Sequence, residues 1–153
     1  MGDAEVVDLS GRLDSGEFRR VVLASDYPPE IREIKADQII ARYKAHPEWP
    51  VFGIEISGQL VGFIGLEFSQ VREAEICNLA VLDTFRRRGI GSMLIERVCG
   101  RFDLSVLSAE TDLSAVDFYR RCGFVVQSLG EKYPGTERFW CTLSRGCQLL
   151  IPA

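Results

Sequence analysis

From residue 51 to residue 81, apolar and polar side chains follow the two-residue period of β-strands. Residues 51–57 read as one strand and Ser57-Gly58-Gln59 as a tight turn, so a hairpin is expected. On the returning strand, Leu60, Ile64, Leu66 and Phe68 are expected on one face, with Val61 and Phe63 on the other. Gly62 and Gly65 mark a bend or a close approach. Residues 70–73 fit another turn and residues 75–81 a third strand, which completes an antiparallel meander.

Elsewhere the period lengthens. Residues 5–9 suggest a short strand. Residues 30–44 read as a helix, with Ile31, Ile34, Ile39, Ile40 and Tyr43 as a broad apolar stripe. Pro28-Pro29 and Pro47 punctuate its two ends. After Val81 the chain passes through Leu82-Asp83-Thr84-Phe85 and Arg86-Arg87-Arg88. Ile90, Met93, Leu94 and Val98 then fall at helical spacing, predicting a helix from near Gly89 to near Gly100. Residues 104–109 predict a strand. Asp112 or Ser114 is expected to cap a second helix carrying Ala115, Phe118 and Tyr119, with Gly123 as its stop. Residues 124–129 and 137–143 close the sheet. The predicted class is α/β of the α+β type. Its central sheet is mixed, largely antiparallel, of about six to seven strands, and flanked by helices.

Composition narrows the field. With 153 residues the chain is expected to be one domain, spanning 1–153. Its 46% hydrophobic and 26% charged residues suit a globular fold rather than a disordered polymer. The net charge of −4 argues against a nucleic-acid partner, since such domains are usually basic. The longest apolar stretch, around residues 60–66, falls far short of the ~18 residues of a membrane span. The acidic N-terminus lacks the layout of a secretion signal, so a cytoplasmic location and no membrane partner are expected. The five cysteines, Cys77, Cys99, Cys122, Cys141 and Cys147, contain no Cys-x-x-Cys pair and read as reduced and mostly buried. One histidine, His46, precludes a His-rich metal site; no metal is expected, and His46 reads as a solvated helix-end residue. Trp49 and Trp140 read as packing residues.

The segment richest in chemistry runs from Asn78 to Ile95, where a strand enters a loop that opens into a helix. The first N–H groups of a helix have no partner inside it, and the helix dipole adds positive charge at that end. Gly89 and Gly91 let a ligand approach the main chain, so the turn suits a phosphate or diphosphate. Arg86, Arg87 and Arg88 add attraction. A Walker loop is excluded, because no glycine precedes a lysine. A dinucleotide fingerprint would need glycine where Leu94 stands.

Arg86-Arg87-Arg88-Gly89-Ile90-Gly91 resembles the Gln/Arg-x-x-Gly-x-Gly/Ala pattern of the Gcn5-related N-acetyltransferases. Downstream, Asp112-x-x-Ala115-x-x-Phe118-Tyr119-x-x-x-Gly123-Phe124 is similar to that family's Asn-x-x-Ala-x-x-Phe-Tyr-x-x-x-Gly-Phe. The resemblance covers about residues 51–143 and implies a GNAT-like acyl-CoA N-acyltransferase fold. It further implies acetyl-CoA as co-substrate, bound between the strands at 75–81 and 104–109. Main-chain groups of Leu79, Ala80 and Val81, on a strand that bulges and splays from the next, would hold the pantetheine arm and polarise the thioester. The amides from Arg87 through Gly89, Ile90, Gly91 and Ser92 would take the diphosphate. Tyr119 stands where a general acid is often assigned, and Glu75 where a strand glutamate serves some members as general base, frequently through water. Asp112 replaces an asparagine that can contact the cofactor arm; an ionised aspartate cannot donate there. Tyr133, in the loop at 132–136, stands near the acceptor region.

Acetylating an amine requires removing its proton: at pH 7 a lysine-like amine is neutral in only about one molecule in 2,500, a cost of ~4.6 kcal/mol. Glu75 would offset part of that. Fixed N–H donors stabilise charge growing on the carbonyl oxygen, and a phenol can protonate the departing thiolate. The expected activity is direct acetyl transfer from acetyl-CoA to a primary amine of a small molecule or peptide. The alternatives are a non-catalytic acyl-CoA sensor and a protein N-terminal acetyltransferase. For an enzyme modifying ribosomal-protein N-termini, a glutamate would be expected near Leu107. Either a monomer or a homodimer fits, the apolar tail Leu149-Leu150-Ile151 packing on the parent sheet or on a second chain.

Overall fold

A computed structural model describes residues 3–145. Seven strands hydrogen-bond in the order β1-β2-β3-β4-β5-β7-β6. They are β1 (Ala4–Asp8), β2 (Val51–Ile56), β3 (Gln59–Gln70), β4 (Glu73–Val81), β5 (Val106–Asp112), β6 (Val125–Tyr133) and β7 (Thr136–Ser144). The helices are α1 (Gly16–Val22), α2 (Arg32–Ala45), α3 (Ile90–Arg101) and α4 (Val116–Arg121). The β4–β5 ladder is parallel, whereas β1–β2, β2–β3, β5–β7 and β6–β7 are antiparallel. The expected mixed, largely antiparallel sheet is therefore present. The chain separates into two compact units, Met1–Glu67 with Cys77–Val98 and Phe68–Ile76 with Cys99–Ala153.

In the first unit, Ser57 and Gly58 both adopt positive φ, 51° and 82°, which a two-residue hairpin turn of this hand requires. The hairpin is as expected, but one face assignment is not. Ile54 pairs with Gly62 and Glu55 with Leu60, which leaves Val61 as an extra residue in β3. Such a bulge moves the alternation by one position. Leu60 therefore shares a face with Phe63 and Gly65 instead of with Ile64 and Leu66. On that face the Phe18 ring of α1 meets Phe63 edge-on at 5.1 Å. A Cβ at Gly65 would overlap the Tyr43 phenol of α2, so this glycine is a notch for the ring.

No helix was expected at α1. Ser15 caps it by accepting from the Phe18 N–H at 3.0 Å, and Phe18, Val21 and Val22 are buried. The expected helix at 30–44 appears as a 3₁₀ turn, Pro29–Ile31, followed by α2. Its buried residues are Ala36, Ile39 and Tyr43, while Ile34 is 57% exposed and lies outside the expected stripe. His46 ends α2 and stacks on Trp49 at 4.0 Å.

In the second unit, the β4–β5 ladder runs from Glu73↔Val106 to Ile76↔Ala109. Leu79, Ala80 and Val81 lie beyond its last pair. β5 starts two residues later than expected, because the Leu104 N–H closes back on the Cys99 carbonyl at 3.0 Å. It also runs three residues further, so Asp112 ends a strand. The expected capping does not occur: α4 begins after Ala115 without a side-chain cap, and the Asp112 carboxylate accepts from the Ser114 N–H at 3.0 Å. At the other end Gly123 adopts φ 94°. The Phe124 N–H reaches the Tyr119 carbonyl at 3.0 Å and the Gly123 N–H the Arg120 carbonyl at 3.0 Å, which stops the helix as expected. Cys99 and Cys141 are buried and Cys77 and Cys122 half-buried. Cys147 and the apolar tail Leu149-Leu150-Ile151 lie outside the described residues. Among the described residues no helix is long and apolar enough to cross a membrane.

Candidate active site

The first unit carries the main-chain part of the candidate site. From Val81 the chain enters a 3₁₀ turn, Asp83–Phe85, closed by the Phe85 N–H on the Leu82 carbonyl at 2.8 Å. Arg86 is extended, and then Arg87 and Gly89 take positive φ, 64° and 75°. Arg87 is the informative exception, since an L-residue in this region is strained by ~1–2 kcal/mol. The Gly89 carbonyl accepts from the Met93 N–H at 3.0 Å, which makes Gly89 the residue on which α3 is seeded. Nothing lies within 4 Å of a Cβ built at Gly89, so glycine is needed there for its dihedral angle and not for packing. Arg86, Arg87, Arg88 and Gly89 are all exposed, whereas Ile90 is buried and anchors the helix start. Gly91 and Ser92 complete the first turn. An exposed turn of arginines and glycine leading into a twelve-residue helix suits a diphosphate by charge and by donor direction.

The three arginines are not used alike. The Arg86 guanidinium turns back onto the Val81 and Ala24 carbonyls and onto Asp83. The Arg88 guanidinium lies 5.1 Å from the centre of the Phe85 ring. On β4, Leu79 is half-buried and Ala80 buried. A Cβ at Gly62 would come within 3.0 Å of the Ala80 carbonyl oxygen, so β3 and β4 approach closely there. Sequence reasoning missed that the Tyr43 hydroxyl donates to the Asn78 Oδ1 at 2.7 Å, one residue before Leu79. The clue available was Gly65, placed where a ring could enter.

The second unit carries the side chains. Tyr119 on α4 is 7% exposed, its ring edge-on to Phe118 at 5.1 Å and to Phe124 at 5.2 Å. Burial drives its phenol well above the ordinary range, so the hydroxyl stays protonated at any working pH. Phe118 is half-buried. Glu75 is half-buried on β4, directly opposite Ser108 of β5. Asp112 is held by Ser114, with Arg138 Nη1 at 3.9 Å. The sequence reading also missed Glu110, paired with Lys132 at 3.1 Å and with Arg138 at 3.0 Å. Desolvation raises its pKa, but the hydrogen bonds from Arg138 and Lys132 outweigh this and hold the carboxyl below its usual range. Tyr133 is 58% exposed at the tip of the β6–β7 hairpin.

Comparison with known proteins places the chain in a family. A family model described as the acetyltransferase (GNAT) family matches residues 18–124. The chain belongs to the GNAT family. The match starts within α1, upstream of the expected core at 51–143, so α1 and α2 are part of what the family shares. An uncharacterized N-acetyltransferase of Chlorobaculum tepidum is 44% identical over 46 residues, 30% of this chain and 30% of that protein. A GNAT-family protein of Desulfovibrio desulfuricans superposes with a TM-score of 0.76 at 18% identity, over 93% of this chain and 99% of that one. A GNAT-family acetyltransferase of Elizabethkingia anophelis, solved with acetyl-CoA bound, gives a TM-score of 0.67 at 16% identity, over 94% and 99% of the two chains. At such identities the solved structures establish a GNAT fold.

Proposed function

We propose that this GNAT protein is an N-acetyltransferase that moves the acetyl group of acetyl-CoA directly to a primary amine of a small molecule or peptide. The observation that carries the reading is the exposed turn with Arg87 and Gly89 in left-handed conformations, which opens α3 immediately after β4. Membership of the GNAT family supports it.

Acetyl-CoA supplies an acyl carbon activated as a thioester. The amides of residues 87–92 hold the diphosphate, and Arg87 and Arg88 add attraction. Main-chain groups of Leu79, Ala80 and Val81 orient the pantetheine arm and polarise the carbonyl. Glu75 takes the proton of the attacking amine. A bond from nitrogen to the acyl carbon forms while the carbon–sulfur bond breaks, and Tyr119 gives its proton to the sulfur. Burial keeps the phenol neutral but makes it hold its proton more tightly, so its help to the departing sulfur is modest. Phe118 and Asp112 flank this chemistry; the Asp112 carboxylate is engaged by the Ser114 N–H. Holding the reactants together supplies ~7–11 kcal/mol, more than acid–base groups usually provide, so the main-chain turn outranks either side chain.

The acceptor is the open variable. A thiol-release screen over polyamines, aminoglycosides, amino acids and peptides tests the reading. Release of free thiol with at least one amine is expected. Binding of acetyl-CoA with no release across the panel would make the protein a sensor. Leu107, fully buried where a ribosomal-protein modifier would be expected to carry a glutamate, sets the small-molecule acceptors first.

A further inference from the structure

Arg86 makes three contacts within its own unit. Its Nε donates to the Val81 carbonyl at 3.2 Å, its Nη2 to the Ala24 carbonyl at 3.0 Å, and its Nη1 lies 3.1 Å from the Asp83 carboxylate. Val81 is the last residue of β4, Asp83 opens the 3₁₀ turn, and Ala24 lies two residues beyond α1. Arg86 itself immediately precedes the left-handed Arg87. A planar guanidinium has five N–H donors in fixed directions, so three such contacts fix the relative placement of three backbone pieces. The segment after α1 is held again at its far side, where Arg32 Nη2 donates to the Tyr27 carbonyl at 3.1 Å. Between those anchors the Ala24, Ser25 and Tyr27 N–H groups close short turns on Val21, Val22 and Ser25.

We propose that Arg86 is a positioning residue, a clamp that ties the diphosphate-binding turn to the segment joining α1 and α2, and that it does not act as a charge aimed at the diphosphate. The proposal rests on the acetyl-CoA reading for its functional consequence, but the clamp itself is a property of the free protein. Two of its three contacts are to carbonyl oxygens, for which hydrogen-bond donation matters more than net charge, and the third, to Asp83, turns its charge toward the protein. The triplet is thereby divided: Arg86 holds backbone, Arg87 supplies a left-handed turn, and Arg88 rests on Phe85.

Amide exchange of the unliganded protein tests the clamp. In Arg86→Ala the Ala24, Ser25 and Tyr27 amides should exchange faster by about fivefold or more, as expected for losing one net hydrogen bond. Arg86→Gln, which keeps a donor but no charge, should recover part of the protection, and Arg88→Ala should leave these amides unchanged. Calorimetric binding gives the second readout. Arg86→Ala should weaken acetyl-CoA, which uses the clamped turn, several-fold more than S-acetylpantetheine, which has no diphosphate, and Arg86→Gln should recover part of that loss. Unchanged exchange at the three amides overturns the proposal. So does a loss of acetyl-CoA affinity that Arg86→Lys restores and Arg86→Gln does not. Should the wild-type protein fail to bind acetyl-CoA, the functional reading falls while the exchange data still decide the clamp.

Discussion

The opening turn of α3 and the middle of α4 carry the two halves of the proposed chemistry in different ways. At α3 the working groups are main-chain amides on an exposed turn, and the side chains around them are either absent, as at Gly89, or bent onto the protein, as at Arg86. At α4 the working group is one hydroxyl, with its ring packed between Phe118 and Phe124. The first site depends on dihedral angles and tolerates much in side-chain identity. The second depends on a single atom, whose proton burial holds more tightly. Damage to the two should therefore differ in size and in kind.

The largest effect is expected at the turn. Gly89→Val forces a β-branched residue to φ 75°, a strain of ~1–3 kcal/mol. Acetyl-CoA affinity should fall by about 100-fold or more, whereas Gly89→Asn, which tolerates that dihedral, should fall far less. Calorimetry separates them; equal losses would mean that space and not conformation matters. Next comes Glu75→Gln, which should reduce kcat/KM at pH 7 by about 100-fold, the low end for acid–base groups. The deficit should shrink as rising pH deprotonates the amine unaided. A pH-independent deficit would remove Glu75 from the base role.

Tyr119→Phe is expected to cost less, about tenfold in kcat with KM for acetyl-CoA unchanged. A thiol of pKa ~8.5 already leaves well as thiolate, so its acid contributes below the usual range. A rise in KM without a fall in kcat would make Tyr119 a packing residue. The smallest effect is on stability. The unfolded phenol titrates near 10.0 and the folded one well above it, so folded Tyr119 retains its proton where the unfolded chain has lost it. Its contribution is complete below pH 10 and declines above it, by about 1.4 kcal/mol per pH unit. Urea titrations from pH 9 to 11 should show a steep loss in the wild type and a shallower one in Tyr119→Phe. The remainder belongs partly to Tyr43, whose phenol burial also drives upward.

What could be read without coordinates follows the same division. The α3 turn was legible because Gly89 and the spacing of Ile90, Leu94 and Val98 record backbone requirements directly in sequence. The sheet was legible because its strands keep a strict period. Where the period breaks, the reading fails: the extra Val61 sends Leu60 to the other face, and nothing in the composition marks a bulge there. α1 escaped notice because seven residues display barely two turns of pattern. Side-chain destinations were the least accessible. A long arginine such as Arg86 has the same signature whether it reaches an anion or a carbonyl. Glu110, Lys132 and Arg138 meet only because β5, β7 and β6 are neighbours.

The central claim is that main-chain amides of residues 87–92 hold the diphosphate. Amide chemical shifts of the protein titrated with acetyl-CoA, and in parallel with S-acetylpantetheine, test it most directly. Large shifts at Arg87, Gly89, Ile90, Gly91 and Ser92 with acetyl-CoA, absent with S-acetylpantetheine, are predicted. A saturating titration with acetyl-CoA that leaves those five amides unmoved would contradict the account.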